Sequence, residues 1–200
     1  MFARVLLLAM AVIAAPVAAQ TTASPRSATQ PAAARALEGF WTLRIDGVVI
    51  LAFRLAPSAG GWSGTWFRPS SFASDGAIFT RVEGPAVAIP ASKVQIMGEW
   101  TELTFSDPRP GAVPDVFRMR AMPGNKAELI YVGTGFAPMA LERGDEDTKI
   151  GPWPDGKSYR RPGVTPATGA EVVTFSSPPP SATVAEPVGP TSRRPAAIGR

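Results

Sequence analysis

Phe40-Trp41-Thr42-Leu43-Arg44-Ile45, then Asp46-Gly47, then Val48-Val49-Ile50-Leu51-Ala52-Phe53-Arg54-Leu55, is the stretch that decides the fold. Side chains of a strand alternate between two faces, so Trp41, Leu43 and Ile45 fall on one face, and Val49, Leu51, Phe53 and Leu55 fall together on the return. Asp-Gly accepts the positive φ angles that a two-residue type I′ turn needs. The stretch therefore predicts an antiparallel hairpin.

Outward from it the period of two persists. Residues 62–68, 77–83, 86–89, 93–97, 101–105, 116–121, 127–132 and 138–143 are further candidate strands, and Pro123-Gly124-Asn125 supplies a turn between two of them. No window of a dozen residues in this region keeps a helical apolar stripe without meeting Gly or Pro. The expectation is an all-β domain over residues 37–150, an antiparallel meander of eight to ten strands that closes into a small barrel. Closure is expected because it pairs every edge, and the chain has no Cys to restrain edge strands by disulfides.

The ends differ in composition. Residues 1–19 carry Arg4, an apolar run from Val5 to Val17, and Val17-Ala18-Ala19, which together read as a secretory signal peptide cleaved after Ala19. Residues 20–36 read as a disordered leader. Residues 151–200 hold ten of the 22 prolines and read as a mostly disordered Pro-rich tail. Two pieces of that tail, around Trp153 to Tyr159 and Glu171 to Phe175, carry enough apolar surface to dock on the domain or to stay free. The expected product is exported, periplasmic or extracellular and monomeric, with no integral membrane segment after signal cleavage.

Charge and residue types exclude much chemistry. The chain of 200 residues has no Cys and no His, which removes disulfides, Cys- or His-containing metal sites and imidazole-based nucleophilic catalysis. The net charge of +4 is carried by the ends, since residues 37–150 hold eleven basic and thirteen acidic residues, a net of −2. A folded basic face for nucleic acid is therefore not expected. Asp145-Glu146-Asp147 lacks the Gly and distal Glu of a calcium loop, so no metal is expected, and no cofactor either. Ser70-Ser71 has no base beside it.

Leu37-Glu38-Gly39-Phe40-Trp41 resembles the Gly-x-Trp signature on the first strand of lipocalins and their calycin relatives, and Leu141-Glu142-Arg143 matches the Arg that ends their last strand. Gly61-Trp62-Ser63-Gly64-Thr65-Trp66 looks like the third strand of small secreted barrels. The resemblance implies a calycin-like barrel in which Arg143 packs across Trp41 as a structural pair closing one end. The short domain and missing disulfide depart from a typical lipocalin.

Function then rests on the aromatic set. Trp62, Trp66 and Trp100, with Phe53, Phe117, Met119 and Tyr131, are candidate lining for an apolar or amphipathic small ligand, and core packing is the other reading of the same residues. An alternative is a cell-envelope interaction or scaffold module with a solid barrel, whose tail reaches an envelope protein or polymer. A remote third is a hydrolase using two of Glu99, Glu102, Asp107 and Asp115. Arg118 and Arg120 share one face, as solvated charges if it points outward and as an anion site if inward.

Overall fold

A computed structural model describes residues 32–166, 168–169 and 172–176. The expected signal peptide, residues 20–31 of the leader and residues 177–200 of the tail lie outside the described residues. The hairpin forms as β1 (Gly39–Ile45) and β2 (Val48–Ser58), with Asp46 and Gly47 at φ 52° and 76° in its turn. Trp41 pairs with Phe53 and Leu43 with Leu51, and the register then shifts between Leu43 and Arg44. That bulge turns the strand, so Val49 leaves the expected face and joins Phe40 and Ala52 in a small second cluster, while Ile50 enters the main core.

Nine further strands follow: β3 (Gly61–Ser74), β4 (Ile78–Pro90), β5 (Lys93–Met97), β6 (Trp100–Phe105), β7 (Asp115–Met122), β8 (Lys126–Tyr131), β9 (Met139–Gly144), β10 (Tyr159–Arg160) and β11 (Val173–Ser176). They make one antiparallel sheet in the order β10-β4-β3-β2-β1-β9-β8-β7-β6-β5, with β11 on β3. Eleven strands replace the expected eight to ten. One addition comes from the tail at each of β10 and β11, and residues 77–83 and 86–89 are parts of a single strand, β4.

The expected closure does not occur in the backbone ladder. β4 and β5 are neighbours in sequence, yet β5 ends the strand order on one side and β4 lies at the other, with only the two-residue β10 beyond it. At the corner between them the Ala91 N–H donates to Gly64 O at 2.8 Å and the Ser92 N–H to Thr104 O at 2.8 Å. The corner thus holds two distant parts of the sheet together, and β4 and β5 leave it without pairing to each other. A seam is left where Ile89 of β4, Phe105 at the end of β6 and Asp115 at the start of β7 line one hollow, together with Arg68 of β3 and Ser176 of β11.

Part of each terminal region is ordered, which corrects the expected boundaries. Residues 32–36 form a helical turn that buries Ala34, and Leu37 follows it into the core. Trp153 is 7% exposed and its indole N–H donates to Val49 O at 3.0 Å. Tyr159 pairs with Phe79 on β4, and β11 pairs Phe175 with Phe72. Apolar burial of three aromatic rings outweighs the entropy that Pro-rich composition suggested would keep this segment free. Trp153→Ala should cost about 3 kcal/mol in urea unfolding, from the lost ring and the orphaned carbonyl together. A change below about 0.5 kcal/mol would show that the segment is not part of the cooperative unit.

Candidate functional site

The aromatic set that the sequence singled out divides in two. Phe53, Trp66, Phe117, Met119 and Tyr131 are buried in the main core. Trp66 lies 4.9 Å from Phe117 and 5.6 Å from Phe105 between ring centroids, and Phe117 stacks on Tyr131 at 4.4 Å. The hollow left at their centre is about 10 Å³, room for at most one water. Leu103 packs directly against β3, because Gly64 has no side chain: a Cβ there would stand 2.6 Å from Leu103 Cδ2. Trp62 and Trp100 are half-buried elsewhere, Trp62 opposite Pro57 on the β2/β3 ladder and Trp100 under the Arg120 guanidinium at 4.6 Å.

Trp41 and Arg143 are register partners on β1 and β9, with the guanidinium 4.3 Å over the indole. Arg143 donates to Glu38 O and Ala36 O, and the Trp41 indole N–H donates to Leu37 O at 2.7 Å. Gly39, at φ 109°, makes room: a Cβ would come within 2.9 Å of Arg143 Nη1. The pair ties the helical turn to the sheet.

The candidate carboxylates also separate. Glu102 pairs with Arg118 at 2.9 Å, and Arg120 with Glu128 at 2.6 Å and Glu99 at 3.3 Å. These groups alternate with the buried Leu103, Phe117, Met119 and Leu129, so they form an ionic ladder on the outer face. Asp107 and Asp115, by contrast, line the same hollow. Among the described residues no acidic cluster has metal-binding geometry.

That hollow sits at the seam. It measures about 150 Å³ and is lined by Arg68, Ile89, Phe105, Asp107, Pro108 and Asp115 among others. A second of about 230 Å³ shares Arg68, Asp107, Asp115 and Ser176 with it and reaches Arg109. Arg68 is 6% exposed, yet it is charged and faces inward. Its guanidinium lies 5.2 Å from the Trp66 ring and 5.4 Å from Phe175, and Nη1 donates to Pro69 O at 2.8 Å and Ser70 O at 3.2 Å. The Tyr131 hydroxyl donates to Asp115 Oδ1. At the rim Arg109 grips both oxygens of Asp107.

These environments separate the two carboxyls. Burial raises the Asp115 pKa, against the Tyr131 hydrogen bond and the positive field of Arg68. Hydrogen bonds from Arg109 lower that of Asp107. Burial and the Asp115 contact push the Tyr131 hydroxyl far up, so it stays a donor. Since folded Asp115 holds its proton more tightly than the unfolded chain does, its charge costs stability. That cost is absent below the ordinary value of 3.8 and grows as pH rises through the elevated one. Asp115→Asn should remove this part of the pH dependence, measured as urea stability of the two proteins from pH 3 to 7. Parallel curves would show that Asp115 is not desolvated.

Arg68 is the residue that sequence reasoning missed. Counting by twos from Trp62 through Gly64 and Trp66 places it on the inner face, and that parity was the available signal.

Comparison with protein-family models, with curated proteins and with solved structures finds no match for this chain. The seam geometry carries the functional argument alone. It offers a buried cation, a partly buried carboxyl, hydroxyls at Ser106 and Ser176, and an apolar wall at Ile89 and Phe105.

Proposed function

We propose that this chain is an exported, non-enzymatic binding protein for a small amphipathic ligand, taken at the seam between β4 and β6–β7 instead of in the aromatic core. The observation that carries this reading is Arg68 beside Asp115 at the open hollow, with apolar side chains as its other wall. A hollow that combines charged and hydroxyl groups with apolar lining is the usual form of a small-molecule site. The Trp41–Arg143 pair supports the calycin-like architecture that goes with such binding, and residues 1–19 support export. In a ¹H–¹⁵N NMR titration of the mature chain with submicellar short-chain amphiphiles, amides of residues 105–107, 115 and 176 should shift together. No shift there from any head group would overturn the proposal.

A second reading has its own observation. The filled interior suits a solid interaction module that recognises an envelope protein or polymer, with residues 177–200 as the contact. Deleting those residues should then abolish partner capture at unchanged stability, and capture that survives the deletion would count against it.

A further inference from the structure

The charges lining the seam are balanced. Arg68 and Arg109 provide two guanidiniums, and Asp107 and Asp115 two carboxylates, all four on the same hollow. Asp107 gives both oxygens to Arg109. Asp115 takes the Tyr131 hydroxyl at Oδ1, and among the described residues no hydrogen bond engages its Oδ2. The acceptor left for a ligand is therefore a carboxylate oxygen in the field of a buried arginine.

Charge decides which donor can use it. An ammonium brought to Asp115 meets the positive field of Arg68, and burial leaves that field little screened by water. An anion meets Asp115 and Asp107. A hydroxyl donates to Oδ2 without adding charge, and its own oxygen still accepts from the Ser176 hydroxyl at the edge of the hollow. Ile89, Phe105 and Pro108 then face the carbon side of the ligand. The two hollows, about 150 and 230 Å³, are each below the ~300 Å³ at which drug-sized pockets begin. They suit one ring with a short chain.

We infer that the polar head accepted at the seam is an uncharged polyhydroxy group of about one sugar ring, hydrogen-bonded to Asp115 and carried on an apolar portion that lies along Ile89 and Phe105. This rests on the binding reading above and names its ligand class.

The test holds the tail constant and changes the head. Hexyl glucoside, hexyl sulfate and hexyltrimethylammonium, each below its micellar concentration, are titrated into the mature full chain at pH 7, with amide shifts at residues 105–107, 115 and 176 as the readout. The glucoside should bind about tenfold more tightly than either ion, a difference of about 1.4 kcal/mol. Two variants move the charge balance in opposite directions. Asp115→Asn leaves the seam one positive charge in excess and should raise the sulfate above the glucoside. Arg109→Gln, at a side chain 60% exposed, leaves one negative charge in excess and should favour the ammonium. Tighter binding of an ion by the unaltered protein, or equal binding of all three heads, would overturn the inference while leaving seam binding intact. Absence of seam shifts with all three would overturn the binding reading itself.

Discussion

Trp66→Ala is expected to lose about 3 to 5 kcal/mol of stability, enough to unfold much of the population of a domain whose stability is about 5 kcal/mol, the lower end of the ordinary range. Trp66 is 1% exposed, and its ring meets Phe53, Phe72, Phe105, Phe117 and Phe175. Those partners come from β2, β3, β6, β7 and β11, so the cavity would open where these five strands converge. Little can collapse into it, because the neighbours are themselves rings held by one another. Arg68 would also lose one of the aromatic faces under its guanidinium. Trp66→Phe should behave differently. Among the described residues the buried indole N–H has no hydrogen-bond partner, and an unsatisfied buried donor costs about 1 to 3 kcal/mol. Phe removes that cost while giving up part of the ring, so the two effects offset and the net change should stay below about 1.5 kcal/mol. Urea unfolding of both variants checks this. Similar large losses for Phe and Ala would mean that the N–H is satisfied after all and that the indole shape itself is required.

The first hairpin was legible because two local signals agreed, the alternation of Trp41, Leu43 and Ile45 and the Asp46-Gly47 turn. Val49 was misplaced by the same rule, since a bulge is a property of two paired strands and the sequence of one of them does not announce it. The tail was legible as a Pro-rich composition with two apolar pieces, around Trp153 to Tyr159 and Glu171 to Phe175, whose docking the sequence left open. Ten prolines in residues 151–200 suggest extended chain, and the burial of Trp153, Tyr159 and Phe175 depends on surfaces of β2, β3 and β4 that exist only once the sheet has curled. The candidate carboxylates show the limit most clearly. Glu102 and Asp115 looked equivalent along the chain. Glu102 alternates with buried Thr101 and Leu103 and so faces outward, whereas Asp115 shares parity with Phe117 and Met119 and faces in. Parity alone would have separated them and would have found Arg68. That Arg68 and Asp115 meet required knowing which ends of the sheet come together, and this is settled by the Ala91–Ser92 corner, a tertiary contact.

Arg161→Ala is expected to cost about 3 kcal/mol, because one buried guanidinium holds three backbone carbonyls that have no other stated purpose in common. Nη1 donates to Gly76 O at 2.6 Å and to Ala137 O at 3.1 Å, and Nη2 donates to Pro138 O. Gly76 belongs to the turn before β4, and Ala137 and Pro138 to the connection before β9, so the side chain clamps two loops on which β10 closes. The residue is 6% exposed and its own N–H donates to Ala77 O at 2.8 Å. Burial lowers its pKa, so the charge is held at a cost that the carbonyls offset. Hydrogen bonds to a charged group contribute about 1.5 to 3 kcal/mol each in favourable cases, and Ala would leave buried acceptors unpaired as well. Lys should recover little, since an ammonium on a flexible stem cannot span three acceptors as a planar fork does. Arg160→Ala, one residue earlier and exposed, provides the control and should change stability by less than about 0.5 kcal/mol. If Arg161→Ala and Arg160→Ala lay equally close to the parent in urea titration, the clamp would be a contact without energetic consequence. Docking of the segment around Tyr159 would then rest on ring burial alone.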